Sequence, residues 1–166
     1  VTPKVAVREG DSVKAGDALF INKHYPEVKF ASPVSGTVVS VERGERRKVM
    51  SVRVKADEKQ QFVDFGTFEL GKMSGEDVKK ALLAAGLFGY INQLPYAVST
   101  NPATTPKSIF VSALRDMPLA GDFEVELKGN EEAFQAGLTA LSKIAPTHLG
   151  IGSKQTAAAL TAAQSV

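Results

Sequence analysis

His24 and His148 are the only histidines of the chain, and there is no cysteine. Disulfides, thiolate metal sites and cysteine-ligated iron–sulfur clusters are thereby excluded, as is a metal site built from several histidines. Neither histidine stands in a local signature that would tie it to a serine nucleophile, so no catalytic triad is expected. Aspartates and glutamates are scattered and fall mostly in turns, which leaves no identifiable carboxylate pair. Gly150-Ile151-Gly152 lies where a strand should pass into a helix, the setting of a dinucleotide fingerprint. Gln155 occupies the place of the third glycine, however, and no Gly-Lys-Ser/Thr occurs anywhere, so a P-loop is excluded. A plain helix-entry turn is the expectation there. Arg43, Arg46, Arg47 and Lys48, interrupted by Glu45, form a basic cluster that could attract an anionic head group or an acidic surface. A solvated hairpin is the plainer expectation. No residue is assigned as catalytic, cofactor-binding or metal-binding.

The bulk composition is that of an ordinary globular chain. Hydrophobic residues make up 43% and charged residues 23%, the balance of a globular protein. A net charge of +2 is too small to argue for nucleic acid. No apolar run approaches the ~18 residues that span a bilayer. The N-terminus lacks a charged flank followed by an apolar core, so no signal peptide is expected. Val1 enters a β-like run almost at once and Val166 closes an alanine-rich helical pattern, which suggests a fragment of a longer protein.

Residues 1–57 read as a small β module. Val5 and Val7 alternate with polar neighbours, Glu9-Gly10-Asp11 turns, and Val13 resumes the strand. Ala15-Gly16-Asp17 makes a second turn and Ala18 to Asn22 a third β segment. Lys23 to Glu27 should be a hairpin loop, and Val28 and Phe30 lead to Pro33 and Gly36. Thr37 to Val41 is the most β-branched run of the chain, and Val49 to Val54 closes the module after the basic turn. Six or seven short strands with turns every few residues favour a small barrel or sandwich.

Residues 58–73 read as a linker, on which Phe62, Phe65 and Phe68 are expected to anchor the chain to an adjacent core. Residues 74–166 alternate helix and strand. Ser74 should cap a helix with Val78, Ala81, Leu82 and Ala85 on one face and Gly86 as its stop. Leu87 to Pro106 is expected to be irregular and to be an interaction surface if it has a function. Strands are expected at Ser108–Ala113, Phe123–Leu127 and His148–Ile151. Helices should follow Asn130, with Phe134, Gly137, Leu138 and Leu141 on one face, and start near Lys154. The alternation implies α/β with parallel neighbours.

The phrases Val7-Arg8-Glu9-Gly10-Asp11-Ser12-Val13 and Ser32-Pro33-Val34-Ser35-Gly36-Thr37-Val38 resemble the turns of the biotinyl/lipoyl-like, barrel-sandwich hybrid family. In a carrier of that family a lysine at the hairpin tip, in a D-K-A or M-K-M context, bears the prosthetic group. Here Asn22-Lys23-His24-Tyr25-Pro26-Glu27 puts Lys23 in that region with neither flank matching, so the resemblance implies the fold and an unmodified loop lysine.

The two modules in this order resemble the A subunit of sodium-translocating NADH:quinone reductases. The strongest phrases are Val28 to Gly36, Ser108 to Ala113, Pro118-Leu119-Ala120 and Glu132 to Leu138. Through that family the chain is distantly similar to the C subunit of Rnf-type electron-transport complexes and to the flavin-carrying subunit of respiratory complex I. Those relatives place a glycine-rich loop after a Gly-Leu helix end. Here Gly86-Leu87 continues as Phe88-Gly89-Tyr90-Ile91-Asn92-Gln93-Leu94-Pro95, whose bulky side chains would block a flavin phosphate. The relatives' next strand ends in an acidic, glycine-containing motif, replaced here by Leu114-Arg115-Asp116-Met117-Pro118-Leu119. The resemblance therefore implies a barrel-sandwich hybrid β module (1–57), a linker (58–73) and a truncated Rossmann-like α/β module (74–166). It also implies a peripheral subunit on the cytoplasmic face of the bacterial inner membrane, with no cofactor of its own. NAD, ubiquinone and flavins would belong to the whole complex, other subunits would be the partners, and assembly and part of the quinone environment would be the role. A biotinyl/lipoyl-type carrier and a flavin- or nucleotide-binding oxidoreductase domain remain the alternatives.

Overall fold

The computed structural model describes residues 2–115 and 117–166. Val1, read as opening the first run, and Asp116, within the Leu114–Leu119 stretch, lie outside the described residues. The chain forms two compact units that do not follow it in simple order. The first contains the residues up to Thr67 together with Lys79–Thr104. The second contains Phe68–Val78 and Thr105–Val166.

Six strands form the sandwich within the first unit: β1 (Pro3–Val5), β2 (Ser12–Val13), β3 (Ala18–Asn22), β4 (Lys29–Ala31), β5 (Gly36–Arg43) and β6 (Val49–Ala56). They form two antiparallel three-stranded sheets, ordered β1-β3-β4 and β2-β5-β6. Val13, Leu19 and Val38 meet in the core, with Val7, Phe20, Val41, Val52 and Val54 packed around them. The alternating valines thus do what period two requires, one set turned inward and one to solvent. A bulge at Val39, skipped between the pairs Val38↔Val54 and Ser40↔Arg53, leaves that valine half exposed.

Two turns of the same kind hold the strands in place. In Arg8-Glu9-Gly10-Asp11 the Asp11 carboxylate accepts the Arg8 N–H at 2.7 Å. In Lys14-Ala15-Gly16-Asp17 the Asp17 carboxylate accepts the Lys14 N–H at 2.7 Å. Both glycines have positive φ, +91° and +106°, which a side chain rarely adopts. Both turns then dock on one receiving stretch. Gly10 N–H donates to Val38 O and Val38 N–H to Asp11 O, while Gly16 N–H donates to Ser32 O and Ser32 N–H to Asp17 O, all at 2.7–2.9 Å. Inside that stretch the buried Ser35 takes the Gln61 N–H on its Oγ and gives its own N–H to Gln60 Oε1. Gly36 is needed for space: a Cβ there would run into the Lys55 carbonyl oxygen of β6.

The segment read as a linker is anchored only in part as expected. Ala15 N–H donates to Gln61 O and Val63 N–H to Ala15 O, both at 2.9 Å, in a parallel bridge of Ala15 with Phe62. Phe62 and Phe68 are exposed at 72% and 55%, and Phe65 is only partly covered. Backbone pairing anchors the start of this strip, and of the three phenylalanines Phe65 follows the expectation, its ring 3.2 Å from where a Cβ on Gly16 would be.

Helix α1 (Gly75–Ala84) starts as expected. Ser74 Oγ accepts the Asp77 N–H and the Asp77 carboxylate accepts the Ser74 N–H, a reciprocal capping box. It ends at Gly86 in a Schellman motif, with Leu87 N–H to Leu82 O and Gly86 N–H to Leu83 O. Leu87 to Pro106 is not structureless. A 3-10 turn at Phe88–Tyr90 buries Phe88, and β7 (Asn92–Gln93) pairs with β8 (Val98–Ser99) in a hairpin. The loop between them includes a cis Leu94–Pro95 bond.

In the second unit β9 (Ile109–Ala113) and β10 (Thr147–Ile151) run parallel, in register from Ile109↔Thr147 to Ala113↔Ile151. Between them in sequence lie α2 (Phe123–Glu126) and α3 (Glu131–Ser142), and α4 (Ala158–Thr161) follows. Phe123–Glu126, expected as a strand, is a helical turn because Asp122 Oδ1 accepts the Glu124 N–H and caps it. The helix expected from Lys154 shrinks to four residues, Ala158–Thr161. Asn130 precedes α3 but offers no side-chain cap. Leu138 is buried on α3 and Gly137, expected on the same face, is exposed. Ala113, Ala157 and Leu160 form the core here, with Phe123, Leu127, Phe134, Leu149 and Ile151 against it.

Candidate functional site

Lys23 follows β3 directly rather than standing at a hairpin apex. Its N–H donates to Thr2 O at 2.8 Å, and the loop beyond it is tied down by Asn22, which is buried and accepts the His24 N–H at 3.0 Å. Val28, fully buried, closes that loop through its N–H to Tyr25 O. The lysine is thus exposed on a braced loop.

After Gly150–Gly152 the two N–H groups at the entry of the following helix are already taken. Gln155 Oε1 accepts the N–H of Thr156 at 3.0 Å and of Ala157 at 2.9 Å, and the helix that follows has four residues. A side chain of the chain itself stands where an anion would sit at a longer helix. The segment after Gly86 is similar in this respect. The N–H groups of Gly86, Leu87, Tyr90 and Ile91 all go to nearby carbonyls. Gly89 lies against Phe30, where a Cβ would stand 2.7 Å from the ring, and Phe30 stacks on Phe20 with centroids 4.9 Å apart. These residues are packing material for the edge of β4.

His24 and His148 belong to different units. His148 lies on the outer face of the parallel pair, stacked on Phe110 at 5.2 Å. Among the described residues no group of three or more His, Asp and Glu side chains could hold a metal ion. A cleft of about 220 Å³ in the second unit is lined by Phe123, Glu124, Leu127, Glu131 and Ala157–Ala159. Glu124 is engaged by the Thr156 hydroxyl at 3.1 Å. The Glu131 carboxyl is held below its usual range, first by its own backbone N–H, then by that of Gly129 and by Lys128. Arg115 joins Glu126 at 2.6 Å and lies over the Phe123 ring, a brace that sequence patterns do not announce.

What the first unit does offer is exposed surface of a definite kind. Leu94, Tyr96 and Val98 of the β7–β8 hairpin and Tyr90 before it are more than half exposed. Asn22 Nδ2 reaches Ser99 Oγ at 3.5 Å, which sets this hairpin beside the loop that bears Lys23. All three tyrosines, Tyr25, Tyr90 and Tyr96, fall in this unit.

Two stacked three-stranded sheets with glycine-aspartate turns, followed by an α/β domain, define a two-domain chain led by a barrel-sandwich hybrid. Residues 1–57 match the family model described as NqrA N-terminal barrel-sandwich hybrid domain, and residues 73–166 match the NqrA second alpha/beta domain. The chain belongs to the NqrA family. Among its relatives, the A subunit of the Na(+)-translocating NADH-quinone reductase of Yersinia pseudotuberculosis is 40% identical over 144 residues, covering 86% of this chain and 32% of the relative. The protein of the same name from Pseudomonas aeruginosa is 39% identical over 149 residues, covering 89% and 34%. That from Haemophilus influenzae is 40% identical over 147 residues, covering 87% and 33%. The chain thus spans about a third of the length of the curated relatives it matches. No helix among the described residues is long and apolar enough to cross a membrane.

Proposed function

We propose that this chain is part of the peripheral A subunit of a bacterial sodium-pumping NADH:ubiquinone oxidoreductase, at the cytoplasmic face of the inner membrane. It holds no cofactor of its own and serves assembly, with the exposed Leu94–Val98 hairpin as its contribution to the quinone environment. The observation that carries this reading is the unbroken similarity across both domains, about 40% identity to relatives named as that component of the reductase. The α/β domain is read as Rossmann-like and related to the flavin subunit of complex I. Its flavin site is read as lost: Gln155 engages the N–H groups of Thr156 and Ala157, those of Leu87, Tyr90 and Ile91 go to nearby carbonyls, and Gly89 is packed against Phe30.

Co-purification tests the assignment. The full-length parent, tagged and extracted from membranes, is expected to bring integral subunits and NADH-dependent quinone reduction with it. A parent found only in the soluble fraction overturns the reading. Flavin titration tests the missing cofactor: FMN fluorescence should be unquenched by the purified chain, and stoichiometric quenching at micromolar concentration would refute that part.

A further inference from the structure

The β5–β6 hairpin concentrates charge to a degree the rest of the chain does not. Residues 43–48 hold Arg43, Arg46, Arg47 and Lys48 against Glu45, a net +3, while the whole chain carries +2. The remaining residues therefore sum to −1. Nearby acid does not cancel the excess, since Glu42 is bound to Arg53 at 2.9 Å and to the Ser51 hydroxyl at 2.6 Å. Arg46, Arg47 and Lys48 form no ion pair among the described residues, and all four cations are exposed.

The turn is of the kind that suits a hairpin, but its two central residues are unfavourable for it. Arg46 and Arg47 both have left-handed backbone, φ 53° and 61°, where glycine or asparagine would fit without strain. Two consecutive strained arginines at a solvent-facing tip are a reason to look for something the side chains do. Arg43 Nη1 donates to Arg47 O at 3.4 Å and braces the tip. Beside these cations stands an apolar side chain: Met50 is 63% exposed and lies over Gly44, its Sδ 3.1 Å from where a Cβ would be.

We propose that this hairpin tip, residues 43–50, is a docking edge for the anionic head groups of a phospholipid bilayer. It rests on the reading of the chain as part of a peripheral membrane subunit. Clustered cations lower the free energy at a negatively charged bilayer surface, and the adjoining exposed methionine can enter the head-group region beside them. Arginine suits phosphodiester oxygens, which its guanidinium fork can bind in pairs.

The test is sedimentation of the purified chain with vesicles of phosphatidylcholine alone and with about a third phosphatidylglycerol, where each cation adds appreciably to binding. Binding is expected only to the anionic vesicles and should be lost in about 0.5 M salt, where the screening length falls to roughly 5 Å. Arg46→Gly/Arg47→Gly should weaken binding by about tenfold or more. Its melting temperature should be unchanged or higher, because glycine accepts the left-handed turn freely. Arg43→Gln/Lys48→Gln, which keeps Arg46 and Arg47 but gives up the Arg43 brace, should weaken binding likewise. Equal sedimentation with both vesicle types, none with either, or unchanged binding by both double variants overturns the proposal. So does capture by polyglutamate without capture by vesicles, which would put an acidic protein surface in place of the lipid. The vesicles contain no other subunit, so failure here leaves the co-purification result standing. A soluble parent whose chain still binds anionic vesicles would fail the assembly reading alone.

Discussion

In the first unit the inward valines of two sheets cover each other, Val13 and Val38 on one and Leu19 on the other. In the second unit the parallel pair β9–β10 has Ala113, Leu149 and Ile151 under helical residues, while Phe110, Ser112, His148 and Gly150 face solvent. Antiparallel sheets in a sandwich use each other as cover, and parallel strands depend on helices, which here lie on one side. Both units bring main chains into direct apposition, at Gly36 and Lys55 in the first and at Gly75 and Lys143 in the second, whereas Gly137 on the exposed face of α3 has nothing within 4 Å of where a Cβ would be.

A single methyl group separates the two situations. Gly36→Ala drives a Cβ into the Lys55 carbonyl and should cost about 3 kcal/mol, through forced separation of β5 and β6. The lowered urea midpoint, followed by far-ultraviolet circular dichroism, measures it. Gly137→Ala meets open space in the interior of an exposed helix face and should stabilise by about 0.8 kcal/mol. An equal loss from both substitutions would break the contrast. The smallest effect is electrostatic and belongs to the second unit. With Glu131 lowered in the fold, its contribution to stability is fully present above the ordinary glutamate value of about 4.3 and is lost as pH falls through the lowered folded value. Titration of Glu131 by nuclear magnetic resonance should place its midpoint below that ordinary value. A midpoint above it would remove the backbone donors from the account.

The parts legible in the sequence were those fixed by local chemistry. Ser74 and Asp77 announce a capping box, Gly86 an end, and the valine runs two long strands, because each depends on residues a few positions away. What escaped depended on distant partners or on competition between local signals. Phe123–Leu127 has the look of a strand, yet Asp122 immediately before it supplies a cap and α2 forms. Phe62, Phe65 and Phe68 invite burial, but Phe62 is held through backbone bonds of its neighbours to Ala15, Phe68 stays exposed, and Phe65 alone of the three packs, against Gly16. The alanines after Lys154 favour helix, but Gln155 turns back on the N–H groups of Thr156 and Ala157, and the helix starts only at Ala158. For the site, the sequence exposed the missing third glycine and the basic run. That Arg46 and Arg47 share a left-handed turn needed three dimensions, since nothing in Gly44-Glu45-Arg46-Arg47 requires it.

The placement of Tyr25, Tyr90 and Tyr96 has a consequence for optical work on this protein. With no tryptophan in the chain, its near-ultraviolet tyrosine absorbance and its intrinsic emission both come from the first unit alone. The second unit is dark to those methods, although it holds α3, the longest helix among the described residues. A melting curve recorded by tyrosine emission therefore follows the first unit, and the backbone amide signal is needed to see the second.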